Sequence, residues 1–153
     1  MPFEDLQSTL PETEQWLLNY FINRFLPKSN NKRKYSHNQF SFIHTTISGI
    51  FFRFRRVKIT EDDLLICLAR SGYRIYVRDN PVRNLQQDNR GRTGLTLRRG
   101  CIIYISTSSA RILDLKKAIR SIAWQKNQSK IKFLVSLKEE IHNFFKWNQR
   151  ASL

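Results

Sequence analysis

The stretch from Thr60 to Gly72, TEDDLLICLARSG, constrains the fold of this chain more than any other. A helix leaves its first backbone N–H groups without partners, and a threonine hydroxyl at the start can accept from one of them. Thr60 stands in that position, and Glu61, Asp62 and Asp63 fill the first turn, where the helix dipole favours negative charge. Leu64, Leu65, Cys67 and Leu68 supply an apolar face. Gly72 follows Arg70 and Ser71, where a left-handed residue commonly closes a helix. The next residues, Tyr73 to Val77 (YRIYV), alternate as a strand does. The fold is therefore expected to contain a capped helix that passes through a glycine turn into a strand.

The flanking segments give further elements. Trp16, Leu17, Tyr20, Phe21 and Phe25 recur at helical spacing between Pro11 and Pro27, which predicts a helix over Thr13 to Leu26. KSNNKRK, Lys28 to Lys34, has no apolar residue and reads as a solvated basic linker. Ser41 to Phe52 is a second helical segment, and RFRRVKI, Arg53 to Ile59, reads as a short extended piece or a turn. Asp79 to Gly94 reads as a long loop, with strand signals at Thr96 to Leu97 and at Cys101 to Ser106. Two helices close the chain: Ile112, Leu115, Ile119 and Ile122 mark one, and Ile131, Leu134, Val135, Ile141, Phe144 and Phe145 mark the other, over Ser129 to Trp147. The aromatic residues Phe40, Phe42, Phe51, Phe52 and Phe54 are expected to pack in the core, as are Trp124 and Trp147 at a core or a helix interface. Cys67 and Cys101 sit in apolar runs and read as small buried hydrophobes with no structural disulfide. The fold class expected is α+β.

The order helix, turn, capped helix, glycine turn, strand, basic loop, strand, from Ser41 to Ser106, resembles a winged helix-turn-helix. On that reading residues 1–153 form a single basic domain. Within it, 1–34 hold the N-terminal helix and basic linker, 35–109 the winged-helix-like core with its small antiparallel hairpin, and 110–153 the C-terminal helices. The resemblance implies DNA binding, with a helix in the major groove and the wing on phosphates or in the minor groove. One departure redirects this expectation. The helix at the recognition position begins Glu61-Asp62-Asp63, and phosphates repel carboxylates. The positive surface around that helix is therefore expected to carry the binding.

Charge points the same way. The chain has 27 basic and 12 acidic residues, a net charge of +15. Such an excess favours a polyanionic partner, because each neutralised phosphate releases a condensed counterion. Arg53, Arg55, Arg56 and Lys58 lie in the turn after the second helical segment. Arg74 and Arg78, on the face of the first strand that also carries Tyr76, continue into Arg83, Arg90, Arg92, Arg98 and Arg99 of the basic loop and its flank. Lys32, Arg33 and Lys34 add a short run in the linker. Arginine dominates, and its planar fork suits bidentate contact with phosphate or guanine. These residues are the expected nucleic-acid-binding set, with DNA favoured over RNA. Two other uses stay open: an RNA- or ribonucleoprotein-binding module, to which Arg90-Gly91-Arg92 is suited, and an adaptor that docks on an acidic protein.

Catalysis has no support in the residues. His37, His44 and His142 are isolated, and Glu61, Asp62, Asp63 and Asp114 do not converge as metal ligands would. No catalytic centre, metal or cofactor is expected. The acidic, polar N-terminus is unlike a secretory leader, and no apolar run reaches the roughly 20 residues of a membrane span, so an intracellular protein with no membrane partner is expected. The last helix carries Glu139 and Glu140 among lysines, and its apolar face serves either its own core or a two-fold homodimer.

Overall fold

The computed structural model describes residues 7–28, 39–79, 101–120 and 128–151. They belong to two compact units, Met1–Ser108 and Ser109–Leu153. Among the described residues the first holds three helices, α1 (Glu12–Phe25), α2 (Gln39–Arg55) and α3 (Glu61–Arg70), followed by strands β1 (Ile75–Asp79) and β2 (Cys101–Ile105). The second holds α4 (Ser109–Ile119) and α5 (Gln128–Ala151). The architecture is mixed: five described helices and one two-stranded antiparallel sheet.

Helix α3 follows its sequence signature closely. The Thr60 hydroxyl accepts from the Asp63 N–H at 3.1 Å while Asp63 Oδ2 accepts from the Thr60 N–H at 3.0 Å, a reciprocal capping box. At the other end the Gly72 N–H reaches the Ala69 carbonyl and the Tyr73 N–H reaches the Leu68 carbonyl, the paired bonds of a Schellman closure. Gly72 stands at φ 82°, a left-handed conformation in which glycine has no Cβ to clash.

Helix α1 packs against α3, its Leu17, Leu18, Phe21, Ile22 and Phe25 are buried, and Phe21 meets Phe51 of α2 edge-on at 5.6 Å. Trp16 and Tyr20, which the spacing placed among the apolar residues, are 65% and 49% exposed. At 3.6 residues per turn they fall on the side opposite the stripe 14, 17, 18, 21, 22 and 25, and they pair with each other edge-on at 5.0 Å.

The strand after α3 begins two residues later than the alternation suggested. Tyr73 is taken up by the closure of α3, and its hydroxyl donates to the Ile22 and Leu26 carbonyls of the α1 end. From Ile75 the ladder is regular, from Ile75 opposite Ile105 to Asp79 opposite Cys101. Thr107, just past β2, donates to the Pro27 carbonyl at 2.8 Å and ties the hairpin to the end of α1.

In the second unit α4 and α5 pack on each other, with Ile112, Leu115 and Ala118 buried on one and Leu134, Leu137, Ile141 and Phe145 on the other. The buried stripe of α5 advances by three or four residues from Leu134. Leu137 therefore takes the inner place, and Val135, expected there, is 45% exposed. Trp147 is 68% exposed and so does not pack in the core. Ile122 and Trp124 lie outside the described residues.

Candidate nucleic-acid interface

The region around Arg53 to Ile59 is built from α2 upward. Phe40, Ile43, Ile47, Ile50 and Phe51 form the buried face of α2, which packs on β2. Thr45, Gly49, Phe52 and Arg53 look outward. The segment expected as an extended piece or turn divides: Arg53, Phe54 and Arg55 complete α2, and 56–60 form the turn. Arg56 sits at φ 53° and its N–H donates to the Phe52 carbonyl at 3.1 Å, a left-handed closure of α2. The chain then doubles back. Ile59 is buried, and its carbonyl accepts from His44 Nε2 at 2.7 Å, which fixes the proton on that nitrogen.

The four basic residues of this turn have separate fates. Arg55 turns inward to Glu14 of α1: Nη2 lies 2.6 Å from Oε1, and Nε lies 3.2 and 3.3 Å from the two carboxylate oxygens. Both side chains are mostly buried, so Arg55 serves as a tie between two helices. Arg53, Arg56 and Lys58 are exposed. The Arg56 guanidinium lies 5.4 Å over the ring of Phe52, itself 55% exposed, and that of Arg53 lies 6.0 Å from the ring of Phe54. Of the expected core aromatics, Phe40 and Phe51 are buried, Phe42 and Phe54 half-buried, and Phe52 is on the surface.

On the hairpin, Arg74 is exposed immediately before β1 and Tyr76 is half exposed, its ring 6.0 Å from that of Tyr104 across the sheet. Arg78 pairs with Ile102 in the ladder. Arg83, Arg90, Arg92, Arg98 and Arg99, with Lys32, Arg33 and Lys34, lie outside the described residues.

Helix α3 offers little free surface. Glu61 and every residue from Asp63 to Leu68 are buried, and only Arg70 is exposed. Asp63 is held by more than its own helix. Its Oδ1 accepts from the Ser8 hydroxyl at 3.0 Å and the Thr9 N–H at 2.7 Å, and Oδ2 accepts from the Thr9 hydroxyl at 2.9 Å. Burial pushes the carboxyl pKa up, but the hydrogen bonds from Thr60 and Thr9 together hold it below the ordinary value. Burial pushes the Cys67 thiol up to about 11 and the Tyr73 hydroxyl up to about 12, so both stay protonated at neutral pH. Between α1 and α3 lies a cleft of about 270 Å³ whose walls include Trp16, Asn19, Cys67 and Arg70. That is below the roughly 300–1,000 Å³ usual for small-molecule sites.

Gly49 and Arg70 were not singled out by sequence. The signal for Gly49 was its phase: it falls on the helical face opposite Ile43, Ile47 and Ile50. Among the described residues no cluster of three or more His, Cys, Asp or Glu side chains is placed to hold a metal, and no helix is long and apolar enough to cross a membrane. Comparison with known protein families, characterised proteins and solved structures finds no match to this chain.

Proposed function

We propose that this chain binds nucleic acid, duplex DNA in preference to RNA, without catalysing a reaction on it. The binding residues are those of the α2–α3 turn and the basic hairpin. The observation that carries this reading is how the charges of the first unit are distributed. Two of its acids turn inward, Glu14 onto Arg55 and Asp63 onto Ser8, Thr9 and Thr60, and the side chains of Arg53, Arg56, Lys58 and Arg74 are exposed. The Glu14–Arg55 pair withdraws equal and opposite charge, so the excess of +15 stays with the remaining residues, and a polyanion is the partner that neutralises it. The order α2, turn, α3, β1, β2 is compatible with the winged helix-turn-helix that the sequence resembles.

The test compares two exposed basic surfaces in the full chain. Arg53→Glu with Lys58→Glu should weaken binding to a labelled DNA duplex by tenfold or more, about 1.4 kcal/mol. Lys132→Glu with Lys146→Glu, on α5, should weaken it about threefold or less by loss of non-specific attraction alone. Equal losses from both pairs would remove the first unit as the interface. No loss from either would mean that other residues make the contacts.

A further inference from the structure

Resting on the nucleic-acid reading, we infer that the outer stripe of α2, Thr45, Gly49, Phe52 and Arg53, with Arg56 just past its end, is the surface that enters the major groove of duplex DNA, in place of α3. Three residues on this stripe are poor choices for a helix that faces only water. Gly49 lies mid-helix and exposed, and a Cβ added there would meet nothing within 4 Å, so no internal packing calls for glycine. Phe52 holds its ring 55% exposed one turn later. Arg56 adopts φ 53°, a conformation that disfavours any side chain with a Cβ, where the closure of α3 uses Gly72. Gly49 has no internal contact to offset its helix penalty, and the contact that Phe52 and Arg56 make is with each other, the guanidinium 5.4 Å over the ring on the outer surface. Strained and suboptimal positions of this kind concentrate where a surface meets a ligand.

The chemistry of the stripe selects the ligand. A glycine lets another backbone or a base edge approach the helix closely. An exposed phenyl ring offers apolar contact of the kind that a thymine methyl group accepts. Arg53 and Arg56 place guanidinium groups at the end of the stripe, where they can reach phosphates, and no residue of the stripe is itself acidic. From Thr45 to the end of α2 at Arg55 the helix rises about 15 Å at 1.5 Å per residue. The B-DNA major groove, about 12 Å wide, admits a helix, whereas the deep, narrow major groove of A-form RNA does not. Duplex DNA is therefore the occupant. Helix α3, with one exposed residue, has no equivalent face.

The experiment uses Gly49→Ala and Arg56→Gly in the full chain, with melting in about 0.5 M salt, where helix-dipole effects are largely screened. Both variants should melt higher, by about 2–8 °C. Both should bind duplex DNA at least fivefold more weakly than the wild type. Arg56→Gly should also flatten the slope of log affinity against log salt by about 0.9, the loss of one phosphate contact. For Gly49→Ala, binding to single-stranded DNA and duplex RNA should change less than twofold. A fall in melting temperature in either variant would overturn the inference, because the residue would then serve the fold. So would unchanged duplex affinity, or equal losses for single strands and duplex. A wild-type chain that binds no nucleic acid would instead overturn the nucleic-acid reading itself.

Discussion

Two helices in the first unit each end at a left-handed residue, and the two residues are chemically opposite. Both α2 and α3 close on a left-handed residue, Arg56 at φ 53° and Gly72 at φ 82°. At the end of α3 the glycine makes that conformation free of steric penalty, both closure hydrogen bonds form, and Tyr73 anchors the exit to α1. At the end of α2 an arginine occupies the strained position and displays its guanidinium over an exposed ring. The start of α3 is equally closed, with Asp63 bonded to Thr60, Ser8 and Thr9. One helix has both ends optimised for stability and its sides buried. The other gives up stability at its end and along its outer face. The difference separates a scaffold helix from a helix available to a partner.

Asp63 should show the largest effect. Asp63→Ala removes the capping box and leaves the Thr9 and Thr60 N–H groups without their acceptor, a loss of about 3 kcal/mol in denaturant unfolding. Asp63 should also give the scaffold end a pH signature. Its folded pKa is depressed, so its contribution is fully present above the ordinary 3.8 and drains away as pH falls below that value. Asp63→Asn should flatten stability against pH in that acid range. An unchanged profile would mean that the hydrogen bonds to the carboxylate do not persist in solution.

Next comes the tie between helices. Arg55→Ala leaves Glu14 mostly buried without its cation. The pair is neither fully buried nor open, so the expected loss is about 2 kcal/mol, between the values for those limits. Duplex affinity, measured well below the melting transition, should hold within about twofold. A large affinity loss with intact stability would move Arg55 to the binding surface and blur the distinction between the two ends. Gly72→Ala should cost about 1–2 kcal/mol, because the left-handed conformation at φ 82° penalises a Cβ. The smallest effect should come from Arg56→Asn, in which a residue that tolerates the left-handed region raises stability by about 0.5 kcal/mol. A stabilising Gly72→Ala or a destabilising Arg56→Asn would break the comparison.

What the sequence revealed follows how local each signal is. Helix α3 was legible almost to the residue because Thr60, the acidic turn, the leucines and Gly72 all lie within its own span. The end of α2 was not, since its left-handed residue is neither glycine nor asparagine and nothing in RFRRVKI marks it. The role of Arg55 was hidden because its partner Glu14 is 41 residues away in sequence. Trp16, Tyr20 and Val135 were placed on the apolar side of their helices by spacing alone, but only packing against neighbours decides the phase of a stripe. The positive surface was legible as composition. Its division into a structural Arg55 and outward Arg53, Arg56 and Lys58 required coordinates.

The most direct measurement is a salt titration of wild-type binding to a DNA duplex, run beside single-stranded DNA and duplex RNA. If Arg53, Arg56, Lys58 and Arg74 each neutralise one phosphate, the slope of log affinity against log salt should be about −4 or steeper, with the duplex DNA bound most tightly. Absence of binding at about 0.1 M salt, or a slope near zero, would contradict the account.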